Sequence, residues 1–357
     1  MAVVRGFTAF TLRRVLGPAI VIAGSVACSS LNNLPSSLAP EQAGVQSVRR
    51  AVESPRVHLG LACPAAVVYV VSSQNRSIEI YDSAQLRAGP CGSITGFSSP
   101  QGLFVDSKGS LWVADAGGQK IYEFLPRENT PARTLSDPYG VPVAVAIDEA
   151  KHVVYVTEYQ NNVHSTTLVE EYANGSATPT GSLSDPNARN GAFDAVDNQG
   201  NVYVTFMTQS NTAQVDRWIG GAGNPANLGL ELVSAGAILT TASGALAACD
   251  PFGYRCGEFA PGSKKMSHVF GHLGLGHCGV IVPDKRPFLH PDALALNRSE
   301  RLGYVAANSV TEWTFPGPAQ RPNRRPLLEI KIPGGAGKGI AVNPAAGPGK
   351  PYQRVEP

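Results

Sequence analysis

His268, His272, His277 and Cys278 make the densest group of potential metal ligands in the chain, three imidazoles and a thiol that would suit zinc or copper if a loop gathered them. Their spacing, H-x3-H-x4-H-C, matches no established metal motif. The plainer expectation is a strand edge followed by a glycine-rich connection, with the histidines exposed or hydrogen-bonded, so no metal and no cofactor is assigned. His152 and His164 stand alone and read as surface residues. Neither a nucleophile elbow nor a phosphate-cradling glycine loop occurs.

Six cysteines carry the remaining chemistry. Cys249 and Cys256 flank Asp250-Pro-Phe-Gly-Tyr-Arg255, a hairpin-like loop, which makes a disulfide between them geometrically natural. Cys63 and Cys91 form a second possible pair that leaves Cys278 free, with Cys63–Cys278 as the other option. Connectivity does not follow from spacing alone.

The elements that position these residues follow from composition. Glycine and proline number 38 and 28 of 357 residues, and charged residues are only 16%, against about 25% in an average globular chain. That mixture predicts many short strands joined by tight turns. A hydrophobic share of 43% supplies a core, while a net charge of +2 and a pI near 8.2 offer no basic stripe for nucleic acid.

The amino terminus carries Arg5, Arg13 and Arg14, then an apolar stretch from Val15 to Ala27 ending Gly24-Ser25-Val26-Ala27-Cys28. This pattern predicts a secretory signal over residues 1–27. Small residues before Cys28 resemble the bacterial lipobox, in which the cysteine thiol receives a diacylglycerol; Ser25 departs from the usual leucine. The resemblance implies a lipid on Cys28, and Ser29 after it favours the outer membrane in a Gram-negative cell. Removing residues 1–27 takes three arginines and no acid from 29 basic and 27 acidic residues, so the remainder is close to neutral. Residues 28–60 are polar and proline-punctuated, with a possible short helix from Glu41 to Val52. They read as a tether with a reach of roughly 30 Å.

A repeat governs residues 61–345, and residues 346–357 form a tail. Six apolar segments centre on Tyr69, Trp112, Tyr155, Tyr203, Leu246 and Tyr304, each predicted to be a strand. A second strand after each ends on an aromatic ring: Tyr81, Phe124, Tyr172, Trp218, Phe259 and Trp313. Smaller-residue strands precede five of the six, at 102–106, 144–148, 193–197, 236–240 and 293–297. The first unit lacks one, and a matching segment, Gly339-Ile-Ala-Val-Asn343, follows the sixth unit. Short apolar pieces near residues 92–97, 132–135, 180–183, 228–232, 266–270 and 327–332 fill a fourth strand position. Four strands per unit, repeated six times, predict an all-β, six-bladed β-propeller closed by a C-terminal strand that completes the first blade.

Pro100-Gln-Gly-Leu-Phe-Val-Asp-Ser-Lys-Gly-Ser-Leu-Trp-Val-Ala-Asp115, with Lys120-Ile-Tyr-Glu-Phe124 after it, resembles an NHL repeat, the blade unit of NHL-type propellers. Gln101, Asn190, His290, Asp292 and Lys338 lie just before inner strands, which predicts that they approach one mouth of the central channel. Gluconolactonase-like propellers and the related streptogramin lyases use this mouth, the former holding a divalent cation with Glu, Asn and Asp. His290-Pro-Asp292 is similar to one such approach, and no glutamate matches the family's position. The resulting expectation is a monomeric, lipid-anchored envelope propeller that binds a protein, a glycan or a small molecule without catalysis. A channel-mouth hydrolase or lyase is the alternative.

Overall fold

The computed structural model describes residues 54–60, 63–161, 165–270, 292–307, 309–315 and 326–343, apart from the side chains of Phe270, Ala336 and Lys338. All of them belong to one compact unit, Leu38–Pro357. The signal, Cys28, residues 28–53 of the tether, His164, residues 271–291 (with His272, His277, Cys278 and His290) and the tail lie outside the described residues.

The first blade holds β1 (Arg56–Leu59), β2 (Val67–Ser72), β3 (Ser77–Asp82) and β4 (Pro90–Thr95). The second holds β5 (Pro100–Val105), β6 (Leu111–Asp115), β7 (Lys120–Phe124) and β8 (Arg133–Ser136). The third comprises β9 (Gly140–Asp148), β10 (Val153–Asn161), β11 (Thr167–Ala173) and β12 (Gly181–Ser184). In the fourth are β13 (Ala188–Val196), β14 (Val202–Thr208), β15 (Ala213–Trp218) and β16 (Ala226–Asn227). The fifth runs through β17 (Ile238–Thr240), β18 (Leu246–Asp250), β19 (Arg255–Phe259) and β20 (Ser267–Phe270). The sixth consists of β21 (Ala293–Leu296), β22 (Leu302–Ala306), β23 (Val310–Thr314) and β24 (Leu328–Ile330), and β25 (Ala336–Asn343) ends the described chain. Every pairing is antiparallel, and no α-helix occurs among the described residues.

The carboxyl-terminal strand closes the ring as the repeat predicts. The first sheet has the order β1-β4-β3-β2-β25, with Val67 opposite Asn343, Val68 opposite Val342 and Val70 opposite Ile340. Six separate core clusters occupy the six junctions between successive blades, including that between the sixth blade and the first. The six strand-ending aromatics are what fill them. Tyr81, Phe124, Tyr172, Trp218, Phe259 and Trp313 are each no more than 3% exposed. An aromatic at the end of the third strand of each blade thus packs against the neighbouring sheet, and these large rings dominate the burial energy.

Three details differ from the sequence reading. Arg56–Leu59, at the end of the expected tether, is a fifth strand of the first blade, pairing with β4. In the fourth blade the outer strand is Ala226–Asn227, not the leucine-rich 228–232. Asn227 accepts a hydrogen bond from Gly229 N–H at 2.7 Å, and Gly229 adopts φ +61°, so the chain turns there. Leu228, Leu230 and Leu232 then pack against the junction of the fourth and fifth blades. In the fifth blade the register makes Ala247, not Leu246, the counterpart of Trp112 and Tyr155, since Ala247 faces Glu258 as those face Glu123 and Glu171.

The expected Cys249–Cys256 disulfide is present, and of the pairings left open for Cys63 the structure has Cys63–Cys91. Cys249 and Cys256 sit directly opposite each other on β18 and β19. Bridges of this kind belong to an oxidising, exported setting. Serine at both Cys63 and Cys91 is expected to cost about 3–4 kcal/mol, and at Cys249 and Cys256 about 2–3 kcal/mol, because the first pair closes the longer loop. Urea midpoints check this; reductant should destabilise the native chain and leave a variant lacking all four cysteines unmoved.

Candidate functional site at the central channel

Inner strands β25, β5, β9, β13, β17 and β21 converge on the axis, each packed on the next. Their approach is close enough that side chains must be absent at some points. A Cβ on Gly339 would lie 1.9 Å from the Gln101 carbonyl oxygen, and one on Gly102 would lie 2.5 Å from the Val143 oxygen. Glycine is therefore required where β25 meets β5 and where β5 meets β9.

Register defines one level of the channel. Leu103, Val145, Asp194, Ile238, Leu294 and Ile340 each pair with the equivalent residue of their blade's second strand: Val113, Val156, Val204, Ala248, Val305 and Val70. All six line a free space of ≈ 380 Å³, counting the part open to solvent. A second space of ≈ 450 Å³ continues it, sharing Leu103, Phe104, Leu239, Leu294 and Ile340 and reaching Val105, Thr240, Leu296 and Val342. Five aliphatic residues and one acid thus form the ring.

Asp194 is 7% exposed, and neither carboxyl oxygen has a hydrogen-bond partner. Thr157 stands against it, its buried hydroxyl the nearest side-chain group able to donate to the carboxyl. Burial pushes the Asp194 carboxyl up to about 7, with Thr157 and nearby backbone groups opposing the shift.

The residues singled out from sequence stand at the starts of the inner strands, just outside this space. Gln101 is the second residue of β5; its amide nitrogen donates to Ser99 Oγ at 3.3 Å, while its Oε1 is buried without a partner. Asn190 is buried at the third position of β13, opposite Met207. Asp292 immediately precedes β21, and its N–H donates to the Ala306 carbonyl at 3.0 Å. Lys338 precedes Gly339, whose backbone lies against the Gln101 carbonyl where β25 meets β5. The free space begins one residue further on, at Gly102, Ala293 and Gly339, and at Phe193 in the fourth blade. Of the candidate metal ligands, His268 faces Glu258 at 3.1 Å across β19 and β20, an ordinary edge pair. His152 is an exposed turn residue with φ +56°. Among the described residues no cluster of histidine, cysteine and acids suits a metal ion.

A second buried polar feature escaped the sequence reading. Asp115 and Asp250 end the second strands of the second and fifth blades, and Glu158 holds the equivalent position in the third, where the strand runs on to Asn161. Asp115 accepts from Ser98 N–H and Ser99 N–H at 3.0 and 2.6 Å, and Asp250 from Val233 N–H and Ser234 N–H at 3.1 and 3.0 Å. These acids latch the connection leading from the preceding blade, satisfying backbone donors that the turn leaves free. In the third blade Glu158 is fully buried and meets Asp137, which already accepts from Tyr139 N–H and Gly140 N–H. Both oxygens of Glu158 and Oδ2 of Asp137 lack other partners. Burial, then the adjacent Asp137 and Glu170, hold Glu158 well above the usual carboxylate range. Glu170, which accepts from Asn161 at 2.9 Å, is pushed up to about 7 by burial and by Asp137. The signal was the recurrence of an acid three residues after the equivalent positions Trp112, Tyr155 and Ala247.

No helix among the described residues is long and apolar enough to cross a membrane. No protein-family model matches the chain, and none of the curated proteins does. Among solved structures, one described as the crystal structure of a nidogen/laminin complex is similar at 14% identity with a TM-score of 0.57, over 78% of this chain and 98% of that one. At that identity the likeness is one of fold, and together with the six junction cores it makes this chain a six-bladed β-propeller.

Proposed function

We propose that the chain is a lipid-anchored protein of the cell envelope whose propeller is a non-catalytic binding or scaffold module, presenting a channel mouth to a protein, glycan or small molecule. The observation that supports it best is the channel itself. Concave, mostly apolar spaces with a few placed polar groups are the usual form of a ligand site, and here six inner strands build one on a ring closed by the chain's own last strand. The blades carry an NHL-like pattern, and the disulfides suit export. The lipid on Cys28 would hold the module at a membrane through the residue 28–53 tether.

Fractionation of a Gram-negative host expressing the full chain tests the anchor. The native protein is expected in the membrane pellet and to incorporate labelled palmitate; Cys28→Ser is expected to lose the label and leave the pellet. Equal membrane association of the variant and the native chain would overturn the lipid-anchored reading.

A further inference from the structure

We infer that Asp194 anchors a site for a primary ammonium group carried on a slender apolar chain, seated in the central channel. The inference rests on the binding-module reading and names its ligand class. Five of six positions at this level of the channel are aliphatic, and the sixth is an acid. An acid there has no structural duty. Asp194 latches no turn, pairs with no cation among the described residues and receives no aligned donor.

What the ring lacks is a cation. Asp194 Oδ1 and Oδ2 are buried acceptors that no well-aligned hydrogen bond reaches, and the Thr157 hydroxyl beside them can accept as well as donate. An ammonium group has three N–H donors and no acceptor, which matches that set. In a water-poor channel a charge-assisted N–H to carboxylate bond is far stronger than in solvent. The walls then select the rest of the ligand. Leu103, Leu294 and Ile340 belong to both halves of the channel, so a chain leaving the carboxyl runs along aliphatic surface into the half lined by Val105, Leu296 and Val342. A guanidinium would bring five donors to three acceptors and leave some buried without partners, and an uncharged alcohol would leave the carboxylate unpaired.

Hexylamine is the probe, added to the purified full chain and followed by calorimetry and by methyl NMR of the channel leucines. Saturable one-to-one binding is expected, with shifts at Leu103 and Leu294. Hexanol and hexanoate are expected to bind at least tenfold more weakly. Asp194→Asn, which keeps the side chain's shape, should weaken hexylamine at least tenfold while the variant stays folded. Leu294→Trp, which fills the channel and leaves the acid in place, should do the same. Hexylamine binding unchanged in Asp194→Asn, absent from the native chain, or weaker than that of hexanol would overturn the proposal. Each of these results leaves the anchoring experiment on Cys28 unaffected, so the two readings fail separately.

Discussion

Thermal unfolding followed by the fluorescence of Trp112, Trp218 and Trp313 is expected to move to lower temperature as the pH rises from 5 to 8, by roughly 10 °C. Most proteins lose stability on the acid side because native carboxylates are paired and must be protonated. Here the buried acids have the opposite bias. Asp194 is raised from 3.8 to about 7, Glu170 from 4.5 to about 7, and Glu158 well above 4.5. An acid whose folded value lies above its unfolded value binds more protons in the folded chain. Its contribution is complete below the unfolded value and is lost as pH rises through the folded one. For Asp194 that window runs from about 4 to about 7. At about 1.4 kcal/mol per pH unit, it sets a ceiling near 4 kcal/mol for this one group. Asp216, raised by burial and by the facing Asp185, adds in the same direction.

The variants follow from the same sign. Glu158→Gln replaces a protonated acid by an amide that can donate to Asp137 Oδ2 at any pH, and Asp194→Asn removes a second ionisation. The double variant is expected to shrink the fall between pH 5 and 8, leaving the part due to Glu170 and Asp216, and to exceed the native chain's midpoint at pH 8. A native midpoint that rises from pH 5 to pH 8 would show that these carboxyls are ionised and solvated in the folded chain, and would remove the basis for a protonated Glu158.

Much of this architecture is legible in the sequence because a propeller repeats one pattern six times. Tyr81, Phe124, Tyr172, Trp218, Phe259 and Trp313 reveal themselves by recurrence, and Gly339-Ile-Ala-Val-Asn343 is conspicuous as an inner strand on the wrong side of the sixth unit. Features that do not recur are the ones that stay hidden. Arg56–Leu59 shows no alternation, since three of its four residues are exposed and backbone pairing alone makes it a strand. The outer strand of the fourth blade is displaced by a local turn at Asn227 that overrides the leucines after it. The channel acid was missed for a related reason. Residues just before the inner strands, such as Gln101 and Asp292, look like mouth residues, whereas Asp194 stands within a strand. Its oddity appears only once register sets it beside five aliphatic equivalents. Asp137 lies in the connection between β8 and β9 and Glu158 in β10, and their contact needs the third dimension.

Truncation before Ala336 abolishes the folded state, the largest effect anticipated for any change in the chain. Without β25, β2 loses its inner neighbour, and Val67–Ser72 becomes an unpaired apolar strand edge, a template for aggregation. Ile340 and Val342 leave the core between the sixth and first blades, and Ala341 leaves the core between the first and second. Two of six junctions are opened at once, and a ring held by nearest-neighbour packing has no other lock. The truncated chain is expected in the insoluble fraction, and any soluble remainder should show no cooperative unfolding. A gentler change tests the fit: Gly339→Val places a Cβ where the Gln101 carbonyl already lies 1.9 Å away, and it should cost several kcal/mol through the forced separation of β25 from β5. Supplying residues 336–343 as a peptide to the truncated chain during refolding should restore a cooperative transition, whereas the same peptide with proline at Ile340 and Val342 should not, since proline removes the ladder's donors. A truncated chain that unfolds cooperatively at the native temperature would mean that the seam is held by something other than this strand.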